Sequence, residues 1–207
     1  MENYMDKIIL IGAGALARDI VGVFGHERFV GLYVDPQFQG TKFGELPVLS
    51  NWADVRKIAT CYVLGVSDIA HRDRVRLMAR AEGLHPCAPL VPPSAIVAAD
   101  ARLASGSAIG QMVVIGPAAR LGEDSIVMHS AIVAHDSVIG ENTVLCAGVC
   151  IGGHVQVGAQ TFVGSNAVLA PKVKFGAGCY IAAGAACFRD ADPGSRWIGN
   201  PARRSNR

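Results

Sequence analysis

His135 and Asp136 are adjacent in the chain and together make a proton-transfer pair. Imidazole changes charge in the neutral range, and a carboxylate beside it strengthens its hold on a proton, so the two are suited to general base chemistry. A second segment with chemical potential is Gly12-Ala13-Gly14-Ala15-Leu16-Ala17, a glycine turn between a buried apolar strand over 7–11 and an apolar-periodic run through Ile20, Val21 and Phe24. Glycines in such a turn let the backbone approach a phosphate, and the first amides of the following helix supply donors for its charge. Asp35-Pro36, at the end of a second strand over 29–34, offers a carboxylate to a ribose hydroxyl. Six cysteines are present without a CxxC spacing, and they read as reduced, buried thiols acting as small apolar residues.

The elements that position these residues change character near residue 85. Taking every sixth residue from Val91 gives sixteen positions through Ile181, all of them large and apolar. Four places after these fall small or β-branched residues such as Ser125, Ala131, Ser137, Thr143 and Thr161. Glycine directly follows the large residue in eight of the sixteen cases, among them Gly110, Gly116, Gly140, Gly152, Gly158 and Gly164, which reads as a tight corner whose backbone conformation, at positive φ, carries a penalty for any residue with a Cβ. Three such edges make a triangular coil of 18 residues whose apolar side chains stack inside a prism and whose faces become parallel sheets. His135, two places after the inward Val133, then points outward. His129 falls at a different corner, and His129 and His154 read as surface or interface residues.

Residues 1–85 form the first domain, with a third strand over 61–66 and a helix over 72–82. This is room for one mononucleotide-binding half of a Rossmann fold and not two, so a sugar nucleotide or a structural role suits it better than a dinucleotide. Residues 86–207 form the second. With 19 basic and 17 acidic residues and no run of like charge, the chain is not built for nucleic acid or a membrane surface. No stretch approaches the roughly 20 apolar residues of a membrane span, and the polar start carries no secretory core, so a cytoplasmic protein is expected.

The segment Ile132-Val133-Ala134-His135-Asp136-Ser137-Val138-Ile139-Gly140-Glu141 and the ending Ile198-Gly199-Asn200-Pro201-Ala202-Arg203, behind a short nucleotide-binding domain, resemble the sialic acid O-acetyltransferase family of hexapeptide-repeat acyltransferases. That family includes the UDP-bacillosamine and perosamine N-acetyltransferases. The resemblance implies an α/β half-Rossmann domain followed by an all-β left-handed parallel β-helix, and a homotrimer with acetyl-CoA in the groove between neighbouring β-helices. It implies His135 as base, Asp136 as its carboxylate and the amide of Gly153 as oxyanion donor. Acetyl-CoA contacts fall at Val144, Gly153, Ser165 and Ala183, those of Ser165 and Ala183 through the backbone, and no metal is expected. The acceptor side is implied at Gly12, Gly14, Ala15, Leu16, Asp35, Pro36 and Gly65, with the turn Gly65-Val66-Ser67-Asp68 and Arg72 beside them; Asp68 reads equally well as a helix cap. Leu16, Met128 and Val144 are apolar where the family pattern has polar residues. An isolated column would expose Val114, Val138 and Val144.

The function implied is transfer of an acetyl group from acetyl-CoA to the amine of a nucleotide-linked sugar in surface glycan synthesis. O-acetylation of a sialic-acid-like hydroxyl and a non-catalytic scaffold are the alternatives. The same column also supports zinc carbonic anhydrases, but histidines at 129, 135 and 154 lack the close pair expected in that metal site.

Overall fold

The computed structural model describes residues 6–205, which divide into two compact units, one through Ala88 and one from Pro89. The polar stretch at 1–5 lies outside the described residues.

The second unit is a parallel β-helix. Its edges are mostly two-residue strands, and from Ile96 to Cys187 the strands of each face pair in parallel at a spacing of eighteen residues: Arg120 with Val138, Ile126 with Val144 and Ile132 with Cys150. Three sheets of five, seven and six strands result. Every sixth residue from Ile109 to Ile181 is at most 3% exposed. The ladder continues one step further than the aliphatic pattern suggests, to Cys187 at 1%. It is looser at its start: Val91 is exposed and Val97 and Leu103 are half-buried. The strands of Val97 and Leu103 end their sheets and are covered by one neighbouring coil only. The small residues of the second periodicity fill the interior beside this ladder, with Ser125, Ala131, Ser137, Thr143, Thr161, Ala167 and Ala185 fully buried. Ser137 shows how the polar ones are satisfied: its hydroxyl donates to the Gly152 carbonyl at 2.8 Å and accepts from the Val155 amide at 3.2 Å.

The glycines have a different cause from the one expected. Those after the inward residues do not have positive φ. A Cβ on Gly140 would instead stand 2.7 Å from the Gly158 carbonyl carbon and the Ala159 Cα of the next coil, and one on Gly116 2.8 Å from the His135 amide nitrogen. Close stacking of the coils requires them. The left-handed turn comes three places after the inward residue, at Asp136 (φ 58°), Asn142 (51°), His154 (60°), Asn166 (58°) and Lys172 (69°). Asn, Asp and His are the non-glycine residues that tolerate this region best.

The first unit is a five-stranded parallel sheet with helices between strands. Its elements are β1 (Ile8–Ile11), α1 (Ala15–Phe24), β2 (Phe29–Tyr33), β3 (Val48–Leu49), α2 (Trp52–Ile58), β4 (Cys61–Leu64), α3 (Ile69–Ala81) and β5 (His85–Pro86). The strands lie in the order β3-β2-β1-β4-β5. The three long buried strands and two helices coincide with the apolar runs. The short β3 and β5 and the seven-residue α2 exceed what the sequence pattern predicts, because two-residue strands have no periodicity to detect. The helix α1 follows β1 immediately because Gly12 takes φ +111°, with space for a Cβ closed by Val66 and the Gly65 carbonyl.

No helix among the described residues is long and apolar enough to cross a membrane. Cys61, Cys87, Cys146, Cys179 and Cys187 are buried free thiols and Cys150 is half-buried. Burial pushes Cys61, Cys146 and Cys187 up to about 11, which keeps them protonated and inert at neutral pH.

Candidate active site

His135 stands at an outward corner of the β-helix, where its ring is about half exposed. Its Nδ1 lies 2.8 Å from Asp136 Oδ2. A carboxylate only accepts, so Nδ1 carries the proton and the Nε2 lone pair of the neutral ring is left for an acid outside. The hydrogen bond from His135 holds the Asp136 carboxyl below the usual aspartate range; slight desolvation opposes this, and the charge of His154 adds to it. Asp136 therefore stays ionised through the neutral range and stabilises the imidazolium. The Nε2 side of the ring lies over Gly153, where a Cβ would come within 2.6 Å of Nε2 and 2.7 Å of Cε1. Gly153 is one coil after His135, buried, and its carbonyl accepts from the Lys172 amide at 2.9 Å.

His154 is exposed, in keeping with its reading as a surface or interface residue, and it belongs to the same cluster. Its Nε2 is 3.8 Å from Asp136 Oδ2, and its ring meets that of His135 edge-on, with centroids 5.1 Å apart at 89°. The relevant spacing is the eighteen residues from Asp136 to His154, one full coil, and not the nineteen from His135. His135, Asp136 and His154 each offer a metal-ligating atom, and these atoms lie within 4.8 Å of one another. His129 is one corner away, where its Nδ1 accepts from the Gln111 amide at 3.1 Å.

The expected acetyl-CoA residues do not all gather at His135. Gly153 does. Ser165 and Ala183 stack at eighteen-residue spacing beneath His129, on the corner one edge earlier. Val144 departs from expectation: it is fully buried, as are its sheet neighbours Ala108 and Ile126 in the same row, so its side chain has no surface to offer a ligand. Val138 is exposed as expected, and Val114 is half-buried.

In the first unit, Gly12, Gly14, Ala15, Leu16, Asp35 and Gly65 line a cavity of about 360 Å³, together with Ser67, Asp68 and His71. Gly14 caps α1 without a side-chain hydrogen bond, a Cβ on it would meet nothing within 4 Å, and with Ala15 and Leu16 it puts the first turn of the helix in the cavity wall. Pro36 starts a 3-10 turn, and Arg72 is buried; neither lines the cavity. Arg72 instead donates to the Val66 carbonyl at 2.6 Å and braces the turn. Asp68 fills both of its readings, accepting from the His71 amide at 2.8 Å as the N-cap of α3 while lining the cavity. Asp35 is buried and held by His71 Nε2 at 2.8 Å and Arg74 at 2.5 Å. Burial raises its proton affinity, but the Arg74 and then the His71 contacts outweigh that and leave the carboxyl below its ordinary range. His71 and Arg74 carry no motif; only the one-turn spacing of α3 from Asp68 hints at them.

Residues 118–153 match the bacterial transferase hexapeptide (six repeats) family. A comparison with curated proteins found no match. Among solved structures, the chain is similar to a histidine-to-alanine variant of GDP-perosamine N-acetyltransferase from Caulobacter crescentus in complex with CoA and GDP-perosamine. The TM-score is 0.88 at 24% identity over 97% of both chains. It is also similar to the acetyltransferase domain of PglB from Neisseria gonorrhoeae, with a TM-score of 0.85 at 21% identity over 96% of this chain and 99% of that one. A third is WeeI from Acinetobacter baumannii, at 0.61 and 17% over 96% and 99%. The chain thus carries a transferase hexapeptide repeat and shares its fold with these proteins along nearly its whole length.

Proposed function

We propose that the protein transfers an acetyl group from acetyl-CoA to the amine of a nucleotide-linked sugar, with His135 as general base. The observation that carries this reading is the His135–Asp136 pair, at 2.8 Å, with the free face of the imidazole turned over a glycine. In this mechanism the acceptor amine attacks the thioester carbonyl as His135 Nε2 takes its proton, and the C–N bond forms. The Gly153 amide meets the oxyanion of the tetrahedral intermediate, in the manner of backbone donors that typically contribute about 10² to 10³ in rate. Collapse breaks the C–S bond, and the imidazolium returns its proton to the leaving thiolate. Asp136 holds Nδ1–H throughout, so the lone pair always faces the acceptor.

The column is read as left-handed, after the family its motifs resemble, and the first unit as a half-Rossmann holder for the nucleotide. Gly12, Gly14 and Ala15 then meet the diphosphate, with Leu16, Asp35 and Gly65 around the remainder. The protein acts as a cytoplasmic homotrimer. Ser165 and Ala183 stand one corner away from His135, so the donor contacts and the base meet only when the corner of one copy faces that of another.

A screen of UDP-, GDP- and CMP-linked sugars for acetyl-CoA-dependent thiol release tests this. Turnover with a nucleotide-linked amino sugar supports it. Turnover only with a sialic-acid-like hydroxyl converts it to O-acetylation, and a well-folded protein with no turnover and no acetyl-CoA binding leaves the scaffold reading.

A further inference from the structure

We propose that this corner is a reversible, inhibitory site for a zinc-class divalent cation, held by His135 Nδ1, Asp136 Oδ2 and His154 Nε2. The inhibition, though not the binding, rests on the reading of His135 as a base. Asp136 Oδ2 lies 2.8 Å from His135 Nδ1 and 3.8 Å from His154 Nε2, and one ligating atom of each residue lies within 4.8 Å of the others. Around a tetrahedral zinc with bonds of about 2.0–2.1 Å, ligand atoms stand about 3.3 Å apart, so side-chain shifts of about 1 Å suffice. The backbone beneath them is already fixed. Asp136 and His154 occupy equivalent left-handed corners of successive coils at φ 58° and 60°, and the His154 amide donates to the His135 carbonyl at 3.0 Å. Two imidazoles with one carboxylate suit zinc, copper or nickel over magnesium or calcium. All three side chains are about half exposed, which leaves the fourth position to water. Lys172, at the same corner one coil on, opposes a cation, so the metal is held loosely enough to exchange.

The metal switches the base off through its tautomer. Neutral His135 carries its proton on Nδ1, towards Asp136, and presents the Nε2 lone pair. Coordination needs the Nδ1 lone pair, so the proton passes through solvent to Nε2 and the ring stays neutral overall. Nε2–H then lies over Gly153, where it donates and cannot accept, and Asp136 is bound to the metal in place of the ring. The ion takes no part in transfer and is an inhibitor, not a cofactor. A cation on an unrelated surface histidine leaves the His135 tautomer as it is.

The intact protein, stripped of metal with a chelator, tests this. Zinc chloride titrated by calorimetry is expected to bind at one site per chain. His154→Asn keeps the corner backbone, because Asn142 and Asn166 already occupy left-handed corners. It is expected to weaken zinc binding at least about 10-fold, the lower end of what losing even a supporting partner costs a metal site. His129→Asn, one corner away, should bind zinc as the native protein does. Nitrogen–proton correlation spectra of the histidines should show His135 protonated at Nδ1 without metal and at Nε2 with zinc. Initial rates, followed by loss of thioester absorbance so that no thiol reagent competes for the metal, should fall with zinc occupancy and recover on adding chelator. Each variant is compared with its own metal-free rate, and half-inhibition in His154→Asn should need about 10-fold more zinc. Magnesium should neither bind nor inhibit. Absence of zinc binding, equal zinc affinity in native protein and His154→Asn, or an unchanged His135 tautomer in the zinc-loaded protein overturns the proposal. A metal-free protein that transfers no acetyl group refutes instead the reading of His135 as a base, and the binding and tautomer results still decide the site.

Discussion

Replacing Gly153 with alanine places one methyl group against the working face of the base. Its Cβ would lie 2.6 Å from His135 Nε2 and 2.7 Å from Cε1, whereas unstrained carbon contacts begin near 3.5 Å. Gly153 does not have positive φ, so alanine costs the backbone little, and the Gly153 amide stays in the chain as a donor. The easiest relief is rotation of the imidazole, by about 1 Å at Nε2. Misplacement of a reacting group by 1 Å costs about 10² in rate. The expected result is a kcat about 100-fold lower, with KM for acetyl-CoA within a few-fold of native and thermal stability nearly unchanged, measured by thiol release and by calorimetry. A variant with native kcat would refute the placement of the catalytic lone pair over Gly153. A variant that fails to fold would show that the methyl acts on the coil stack and not on the ring.

Three further perturbations separate stability from catalysis. Gly140→Ala drives a methyl into the backbone of the next coil at 2.7 Å and is expected to destabilise by about 2–3 kcal/mol in chemical denaturation, since no flexible side chain can give way. Ser137→Ala strips the buried Val155 amide of its acceptor and is expected to cost about 1–3 kcal/mol by the same measurement. Asp35→Asn weakens the contacts to Arg74 and His71, and the loss depends on pH. The folded carboxyl lies below its ordinary value, so its stabilisation is present above about pH 4 and disappears as pH falls through the lowered value. Because Arg74 is half exposed, the stability gap between native and variant should be about 1 kcal/mol at pH 7 and close towards pH 2; a gap independent of pH would contradict the ion-pair account.

The prism was legible because its core repeats with a period that no ordinary helix or strand has, and His135–Asp136 because both residues sit in one segment. His154 was hidden for a geometric reason. Neighbours in this fold are separated by eighteen residues counted from the correct partner, and Asp136, not His135, is the residue above it. The glycines were found but misattributed: positive φ belongs to residues such as Asp136 and Lys172, while Gly140 and Gly116 answer to the backbone of the following coil, which a linear pattern does not display. Val144 looked like an exposed seam residue, yet it and its row neighbours Ala108 and Ile126 are buried, whereas Phe162 and Tyr180 further along the row are only half-buried, a difference that a repeating pattern does not display. In the first unit, the glycine turn was visible, but the clasp of His71 and Arg74 on Asp35 joins residues 36 and 39 apart with no repeating signal.

The most direct test of the account is acetyl transfer by His135→Ala, with acetyl-CoA binding measured on the same sample. Removal of a general base typically costs about 10² to 10⁴ in rate, and kcat is expected to fall by that amount while acetyl-CoA still binds. Undiminished turnover in the folded variant would mean that the imidazole at this corner takes no part in the reaction.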